Sequence, residues 1–285
     1  MKATFSVWMG YFADLPFEDA VREFKKNGVT ALEFSIEHGA ELFARSDDVI
    51  ATGKAAREFI EKENVVVTQG HLPLSFDIVR QRGEIDILLR YIDMYEAMGI
   101  TEMVLHCDRM NKSPELSKEE RLLENVKSLK IIAEHVKDKK IYICLENLRQ
   151  PAIYPVSDPL PLGFAEDLLN IIELVGSDRF AICLDTGHLN LVSGNQGDFI
   201  RKAGKHLRAL HIADNQNVAD MDQHLLPFSR GTVDFFDVVK ALREIDYVGM
   251  FNFEIPGEMR APIPIRGKKL EYTRFVYDYL MNETE

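Results

Sequence analysis

Cysteine, basic residues and long apolar runs are scarce in this chain, and each scarcity argues against a class of protein. The sequence has three cysteines, Cys107, Cys144 and Cys183. This odd number without CxxC spacing predicts buried, reduced thiols rather than a disulfide framework. Lys and Arg number 34 against 46 Asp and Glu, a formal net charge of -12, which disfavours broad binding to nucleic-acid phosphates. No apolar run approaches the roughly 20 residues that span a bilayer.

The first residues of the sequence show no secretory signal. MKATFSVWMG leads directly into a strand pattern and lacks the features of a signal peptide. Together with the expected reduced thiols, this predicts a cytoplasmic protein that does not associate with a membrane. The hydrophobic fraction of 46% is enough for one sizeable core, so we expect a single domain over residues 1–285.

Short apolar runs alternate strictly with amphipathic stretches along the chain. Eight runs predict strands: ATFSVWM, ALEFS, VVVTQGH, EMVLHC, IYICLEN, FAICLD, LRALHIAD and YVGMFNFEI. An amphipathic stretch that predicts a helix follows each of them. This alternation is typical of parallel strands with crossover helices, and eight units fit a closed (β/α)8 barrel, the TIM barrel. No GxGxxG follows the first run, which argues against a dinucleotide-binding sheet.

Four acidic or imidazole side chains lie at or near the ends of predicted strands. Glu146, Asp185 and Glu254 end the fifth, sixth and eighth runs, and His211 lies in the seventh. Burying such groups unpaired is costly, and the C-terminal strand ends of a barrel meet at its active-site face. We therefore predict one divalent cation bound by all four, with Mn2+, Mg2+, Co2+ or Zn2+ suiting the mixed oxygen and nitrogen ligands. Separate buried ion pairs are the alternative.

Further polar residues fall at the same predicted face, and their roles stay open from the residues alone. His188, just beyond the sixth run, is a candidate metal ligand or substrate contact, or else a structural histidine. His71 and His106 end the third and fourth runs, and the correspondence favours a role in the site. Asp222 and His224 form a D-x-H pair in the loop after the seventh run, which a solvated loop explains equally well.

Other residues lie where they could contact a substrate. Trp8, near the end of the first run, could form an apolar wall or pack in the core. Glu33 could bind a substrate hydroxyl or pair with a basic residue. Arg149 and Arg230 could bind an anion or a hydroxyl, or lie on the surface. We predict Trp8, Glu33 and Arg230, together with His188, as substrate-binding residues. Two long loops, RQPAIYPVSDPLPLG and NQNVADMDQHLLPFSRG, could shape or cover the pocket.

Several motifs resemble the xylose-isomerase-like barrel superfamily, which includes sugar isomerases, ketose epimerases and endonuclease IV. They are CLENL, CLDTGHLNL, LHIADN, the D-x-H loop running into GTVDF, and FNFEI, and the resemblance covers nearly the whole chain. In the epimerase branch it implies one divalent ion on Glu146, Asp185, His211 and Glu254, with the two glutamates also acting as the acid/base pair. In the endonuclease IV branch it implies three zinc ions and further ligands matching His71, His106, His188, Asp222 and His224.

We therefore expect a metal-dependent isomerase or epimerase of a small sugar or keto-polyol, with Mn2+ as the favoured ion. Glu146 and Glu254 would move the proton alpha to a metal-bound carbonyl through an enediolate. An inosose-dehydratase-like lyase and a zinc-dependent, endonuclease IV-like phosphodiesterase at abasic DNA sites are the alternatives. The acidic composition makes nucleic acid an unexpected partner. The mouth loops or the helices could pair barrels into a homo-oligomer.

Overall fold

Eight parallel strands close into a barrel. The structure is a computed structural model that describes residues 2–108, 116–149, 162–218 and 221–283. The strands are β1 (Thr4–Trp8), β2 (Ala31–Phe34), β3 (Val66–His71), β4 (Glu102–Leu105), β5 (Tyr142–Glu146), β6 (Phe180–Asp185), β7 (Leu207–His211) and β8 (Met250–Phe253). Strands β1 to β7 pair in consecutive order, and β8 pairs with β1. A parallel bridge between Ile212 and Phe253 joins the two remaining edges, so the predicted (β/α)8 barrel is confirmed.

The described part of the chain contains ten α-helices, two more than the sequence pattern predicted. They are α1 (Phe17–Lys26), α2 (Ile36–Phe43), α3 (Val49–Lys62), α4 (Ile85–Met98), α5 (Lys118–Val136), α6 (Ala165–Val175), α7 (Thr186–Leu191), α8 (Gln196–Ala203), α9 (Phe235–Glu244) and α10 (Ile263–Glu283). The additional helices, α2 and α7, begin directly after β2 and β6, where Ser35 and Asp185 cap them. None of the described helices has both the length and the apolar character needed to cross a membrane.

The inside of the barrel is apolar on one side and polar on the other. Small apolar side chains pack together along β4 to β7: Val104, Cys144, Ala181, Cys183 and Ala209. Buried polar side chains lie on the strands opposite: Ser6, Glu33, Gln69 and Asn252. All three cysteines are free and buried, as the sequence predicted. Beneath the C-terminal mouth, the barrel interior is therefore apolar along β4 to β7 and polar along β8 and β1 to β3.

A buried arginine ties the last helix to the loop after β1. Arg266 of α10 is 1% exposed and donates to both carboxylate oxygens of Asp14 at 2.8 Å and to the carbonyl oxygen of Tyr11 at 2.5 Å. The Tyr11 hydroxyl donates back to the Arg266 carbonyl oxygen at 2.8 Å. A Cβ atom on Gly257 would lie 1.7 Å from the Tyr11 oxygen, so the segment after β8 needs glycine there. These contacts hold the loop that begins at Glu254.

Candidate metal and catalytic site

Glu146 lies at the centre of a ring of histidines at the C-terminal mouth of the barrel. Its Oε2 atom is 2.9 Å from His106 Nε2, 3.4 Å from His71 Nε2 and 3.2 Å from His211 Nδ1. Its Oε1 atom is 3.0 Å from His188 Nδ1. Burial opposes its ionisation, but the neighbouring His106 and His211 hold the pKa of Glu146 well below its usual value. Side chains from β3 to β7 and the segments that follow them thus meet at one carboxylate.

Glu254 and Asp185 approach the same point from other sides of the barrel. Glu254 follows β8, and its Oε2 atom lies 3.1 Å from His211 Nδ1. Asp185 ends β6, and its Oδ1 atom accepts the backbone N–H of His188 at 2.7 Å, which caps α7. Asp185, His211 and Glu254 each offer a ligand atom within 4.8 Å of the others. Burial raises the pKa of Asp185 to about 7.

Three buried atoms of this group have no hydrogen-bond partner: Asp185 Oδ2, His211 Nδ1 and Glu254 Oε2. An unsatisfied buried polar atom costs roughly 1–3 kcal/mol, so three together in one place need a physical reason. Carboxylate oxygens and an imidazole nitrogen are ligands that divalent ions take from proteins. These residues therefore fit a divalent cation, and the structure brings together the four side chains for which the sequence predicted that role.

A second group of side chains continues the site toward solvent. Asp222 Oδ2 lies 2.9 Å from His188 Nε2, and Asp222 Oδ1 lies 3.2 Å from His224 Nε2. Asp185, His188 and His224 form another set of ligand atoms within 4.8 Å, and so do His71, Glu146 and His211. Although burial opposes it, Glu254 and the hydrogen bond to Asp222 raise the pKa of His224 to about 10. The loop histidine and aspartate thus belong to the same cluster as the strand-end residues.

A cavity of about 570 Å3 opens above this cluster. His188, Glu254 and other cluster members form its floor, and its walls include Leu74, Phe76 and Arg80. Arg149 also lines it, and its Nε atom is 3.4 Å from Asp222 Oδ2. Small-molecule sites are concave spaces of roughly 300–1,000 Å3. The cavity is therefore the size of a small-ligand pocket. Residues 150–161, which belong to the long loop after β5 that was predicted to shape the pocket, lie outside the described residues.

Three residues predicted to bind substrate do not line the described part of this cavity. Glu33 is fully buried below it and accepts a hydrogen bond from His211 Nε2 at 2.8 Å. Arg230 is exposed and lines a separate depression of about 310 Å3 on the outer side of His224. Trp8 packs over Gly10, where an added Cβ atom would lie 2.2 Å from its ring. Their contact with a substrate remains a prediction.

Sequence reasoning did not assign a role to Asn147, which fixes the position of Asp185. The Asn147 side chain accepts the Asp185 N–H at 2.7 Å and donates to the Asp185 carbonyl oxygen at 3.1 Å. Its own carbonyl oxygen lies 3.0 Å from His188 Nδ1. Its place beside Glu146 in CLENL was the available signal. Arg80, in contrast, lies in a loop after β3 that no motif marked.

Comparisons with known proteins agree with this architecture. A family model described as a xylose isomerase-like TIM barrel matches residues 21–274. A D-psicose 3-epimerase of Enterocloster bolteae is 33% identical over 88 residues, which are 31% of this chain and 27% of that protein. A probable endonuclease 4 of Mycoplasmopsis synoviae is 26% identical over 166 residues, which are 55% of this chain and 56% of that protein.

A solved structure of D-psicose 3-epimerase in the presence of D-fructose superposes with a TM-score of 0.75 at 18% identity, covering 98% of this chain and 99% of that one. At this identity the likeness shows the fold. The chain spans between 27% and 56% of the length of the curated relatives it matches. The match over residues 21–274 and the closed eight-stranded barrel show that the chain belongs to the xylose isomerase-like TIM barrel family.

Proposed function

We propose that the protein is a divalent-metal-dependent isomerase or epimerase of a small sugar or keto-polyol. One observation carries the proposal: Glu146 and Glu254 approach His211 Nδ1 from different strands, at 3.2 and 3.1 Å. Two carboxylates on either side of one cation position suit the removal of a proton from one carbon and the return of a proton to another carbon or to the other face. Similarity to a D-psicose 3-epimerase supports this reaction class.

Glu146, Asp185, His211 and Glu254 would hold the ion, with Mn2+ favoured and Zn2+, Co2+ or Mg2+ as alternatives. A bound divalent ion would supply a Lewis acid next to the substrate carbonyl. One glutamate would take the alpha proton, while the other, in its acid form, would give one back. Glu254, whose side chain is 13% exposed against 1% for Glu146, has the freer approach to the cavity.

The cavity walls also suit a small polyhydroxylated substrate. Arg80 and Arg149 line it and offer guanidinium donors for hydroxyl or carbonyl oxygens. Leu74 and Phe76 offer an apolar wall against which the carbon face of a sugar can pack. His188 forms part of the floor and is positioned by Asn147 and Asp222, so it would orient a substrate oxygen near the two glutamates.

Isosteric glutamate variants test the acid/base pair. Glu146→Gln and Glu254→Gln keep the shape of the side chain but cannot accept the proton, so each should slow exchange of the substrate alpha proton by about 100- to 10,000-fold. Glu58→Gln, an exposed position on α3, is the matched control and should keep full activity. Exchange in either site variant at the rate of the wild-type protein would rule out that residue as acid or base.

The D-x-H residues favour a second candidate, an endonuclease IV-like phosphodiesterase. Asp222 and His224 join the other seven candidate ligands in one cluster, which could hold more than one zinc ion. Similarity to a probable endonuclease 4 supports the same candidate.

Counting metal ions per chain and assaying cleavage of an abasic-site duplex would separate the isomerase from the phosphodiesterase. Several zinc ions with duplex cleavage would replace the isomerase proposal, whereas one ion with ketose turnover would support it. A product that has lost one water relative to the substrate would instead indicate the lyase.

A further inference from the structure

A fully buried carboxylate lies directly behind the candidate metal position. Glu33 of β2 has no exposed surface, and its Oε1 atom accepts the Nε2–H of His211 at 2.8 Å. The other nitrogen of the same ring, Nδ1, faces Glu146 and Glu254. The His211 ring therefore lies between Glu33 and the cation position, with one nitrogen directed toward each.

Amide donors hold this carboxylate in place. Gln69 Nε2 donates to Glu33 Oε1 at 3.0 Å, and Asn252 Nδ2 donates to Oε2 at 2.5 Å. Asn252 Oδ1 in turn accepts a hydrogen bond from the Ser6 hydroxyl at 3.0 Å. All four side chains are at most 1% exposed. Within the described residues no Lys or Arg forms an ion pair with Glu33, and His211 is the one ionisable side chain that contacts it.

This arrangement determines which nitrogen of His211 carries the proton. A neutral imidazole binds a cation through its unprotonated nitrogen, and a partner on the other N–H fixes the tautomer and the ring orientation. The Glu33 carboxylate can only accept, so Nε2 carries its hydrogen, and a cation at the site would take the place of any hydrogen on Nδ1. The lone pair of Nδ1 then points toward Glu146, Glu254 and the cation position. The negative charge behind the ring also makes Nδ1 a stronger donor to a cation.

We propose that Glu33 is a positioning residue that acts through His211 to set the affinity of the site for its divalent cation, and that it does not contact the substrate. This inference rests on the metal site of the proposed function but not on the identity of the substrate. Partners of this kind typically contribute about 10- to 100-fold to metal affinity. Glu33 therefore has a role that differs from the substrate contact its position in the sequence suggested.

Glu33→Gln removes the charge and keeps an acceptor for His211 and Gln69. The new amide oxygen can face His211 and Gln69, and the new amino group then faces Asn252. If the Asn252 amide turns over, its oxygen accepts from that amino group and its own amino group donates to the Ser6 hydroxyl. The buried Ser6 hydroxyl then loses the Asn252 oxygen as its acceptor, and Ser6→Ala measures the cost of that loss by itself. Ser6→Ala is the control, because it disturbs the far end of the same network without touching the contact between Glu33 and His211.

The experiment is calorimetric titration of the metal-stripped proteins with Mn2+, together with thermal unfolding of the metal-free forms. Glu33→Gln should bind Mn2+ about 10- to 100-fold more weakly than wild type. Ser6→Ala, which lowers Tm through the loss of the same hydrogen bond to Asn252, should keep the wild-type affinity to within about threefold. Equal Mn2+ affinity in wild type and Glu33→Gln would overturn the inference. A wild-type protein that binds neither Mn2+ nor Zn2+ would overturn both the inference and the proposed function.

The Mn2+ affinity of a second variant and the KM for the sugar extend this test. If Glu33→Gln does not fold, Glu33→Asp keeps the charge but withdraws it from His211 by one methylene, and a folded Glu33→Asp with wild-type affinity would equally overturn the inference. At saturating Mn2+, Glu33→Gln should keep the wild-type KM for the sugar, because Glu33 lies outside the cavity lining. A raised KM under that condition would assign Glu33 to the substrate instead. Weaker Mn2+ binding in a protein without sugar turnover would support the inference and contradict the proposed function.

Discussion

For single residues, the sequence pattern indicates which side chains lie at the barrel mouth but not how deep each one lies. The proximity of Glu146, Asp185, His211 and Glu254 could be predicted, because a charged group at the end of a buried strand is costly unless it has a partner. The depth of Glu33 could not be predicted, because alternation along a strand shows that a side chain faces the barrel interior but not how far below the mouth it lies. Depth comes from the register, in which Glu33 pairs with Gln69, two residues before His71. Glu33 is therefore one layer below the mouth.

Variants of Asp185 should separate its contribution to metal binding from its contribution to capping α7. Asp185→Asn keeps an oxygen that can accept the His188 N–H, so α7 should keep its cap, because Asn caps about as well as Asp. The variant replaces the free Oδ2 atom with an amide nitrogen that cannot bind a cation. We expect Mn2+ affinity to fall by at least about tenfold with little loss of metal-free stability.

Asp185→Ala is the comparison variant, since it removes the ligand and the cap together. Its metal-free form should be less stable than that of Asp185→Asn by about 1 kcal/mol. Calorimetric Mn2+ titration and chemical denaturation measure the two effects separately. Wild-type Mn2+ affinity in Asp185→Asn would remove Asp185 from the ligand set.

The elements of the barrel were predictable to different degrees. The eight strands and eight of the helices follow from alternating apolar runs and amphipathic stretches. Helices α2 and α7 were missed because they are short, with 8 and 6 residues, and begin where a strand has just ended. The contact between α10 and the loop after β1 could not be predicted from the sequence either, because Arg266 and Asp14 are 252 residues apart.

The contact between Arg266 and Asp14 predicts a pH-dependent contribution to stability. The hydrogen bonds from Arg266 lower the pKa of Asp14. A lowered pKa in the folded state means that the stabilisation is complete above the unfolded pKa of about 3.9 and is lost as the pH falls through the folded value. Asp14→Asn should therefore lower the free energy of unfolding at neutral pH by about 1–3 kcal/mol, and by less in strong acid.

Chemical denaturation at neutral pH and at about pH 3 measures this difference. Asp19→Asn is the control, because Asp19 is 59% exposed in its ion pair with Arg22, and such surface pairs contribute about 0–1 kcal/mol. A loss of stability in Asp14→Asn that is as large in acid as at neutral pH would show that the charge of Asp14 is not the cause.

At the scale of the whole molecule, an acidic chain has at one end of its barrel a cluster of carboxylates and imidazoles in which several buried atoms lack a hydrogen-bond partner. The fold and the location of this cluster followed from the sequence. The convergence of the D-x-H residues with the strand ends did not, because loop conformation carries no periodic signal. A cation bound by this cluster would bind the folded state and not the unfolded chain, and ligands that bind only the folded state stabilise it.

Metal addition should therefore raise the Tm of the metal-stripped protein. At a free Mn2+ concentration of 100 Kd the expected stabilisation is about 2.7 kcal/mol, and a chelator should reverse it. Thermal unfolding with and without Mn2+ checks this, with His206→Ala as a control at a histidine outside the cluster. A Tm that is indifferent to Mn2+, Zn2+ and Co2+ alike would contradict a divalent-metal site.

Solvent exchange at the carbon alpha to a sugar carbonyl would report the proposed proton transfer itself. Metal-stripped and Mn2+-loaded protein would be incubated in D2O with a panel of ketohexoses, ketopentoses and keto-polyols, and deuterium followed by NMR. We predict incorporation at the alpha carbon of at least one substrate, only in the loaded protein and not in Glu254→Gln. No incorporation into any of them by a loaded protein that cleaves an abasic-site duplex would contradict the account.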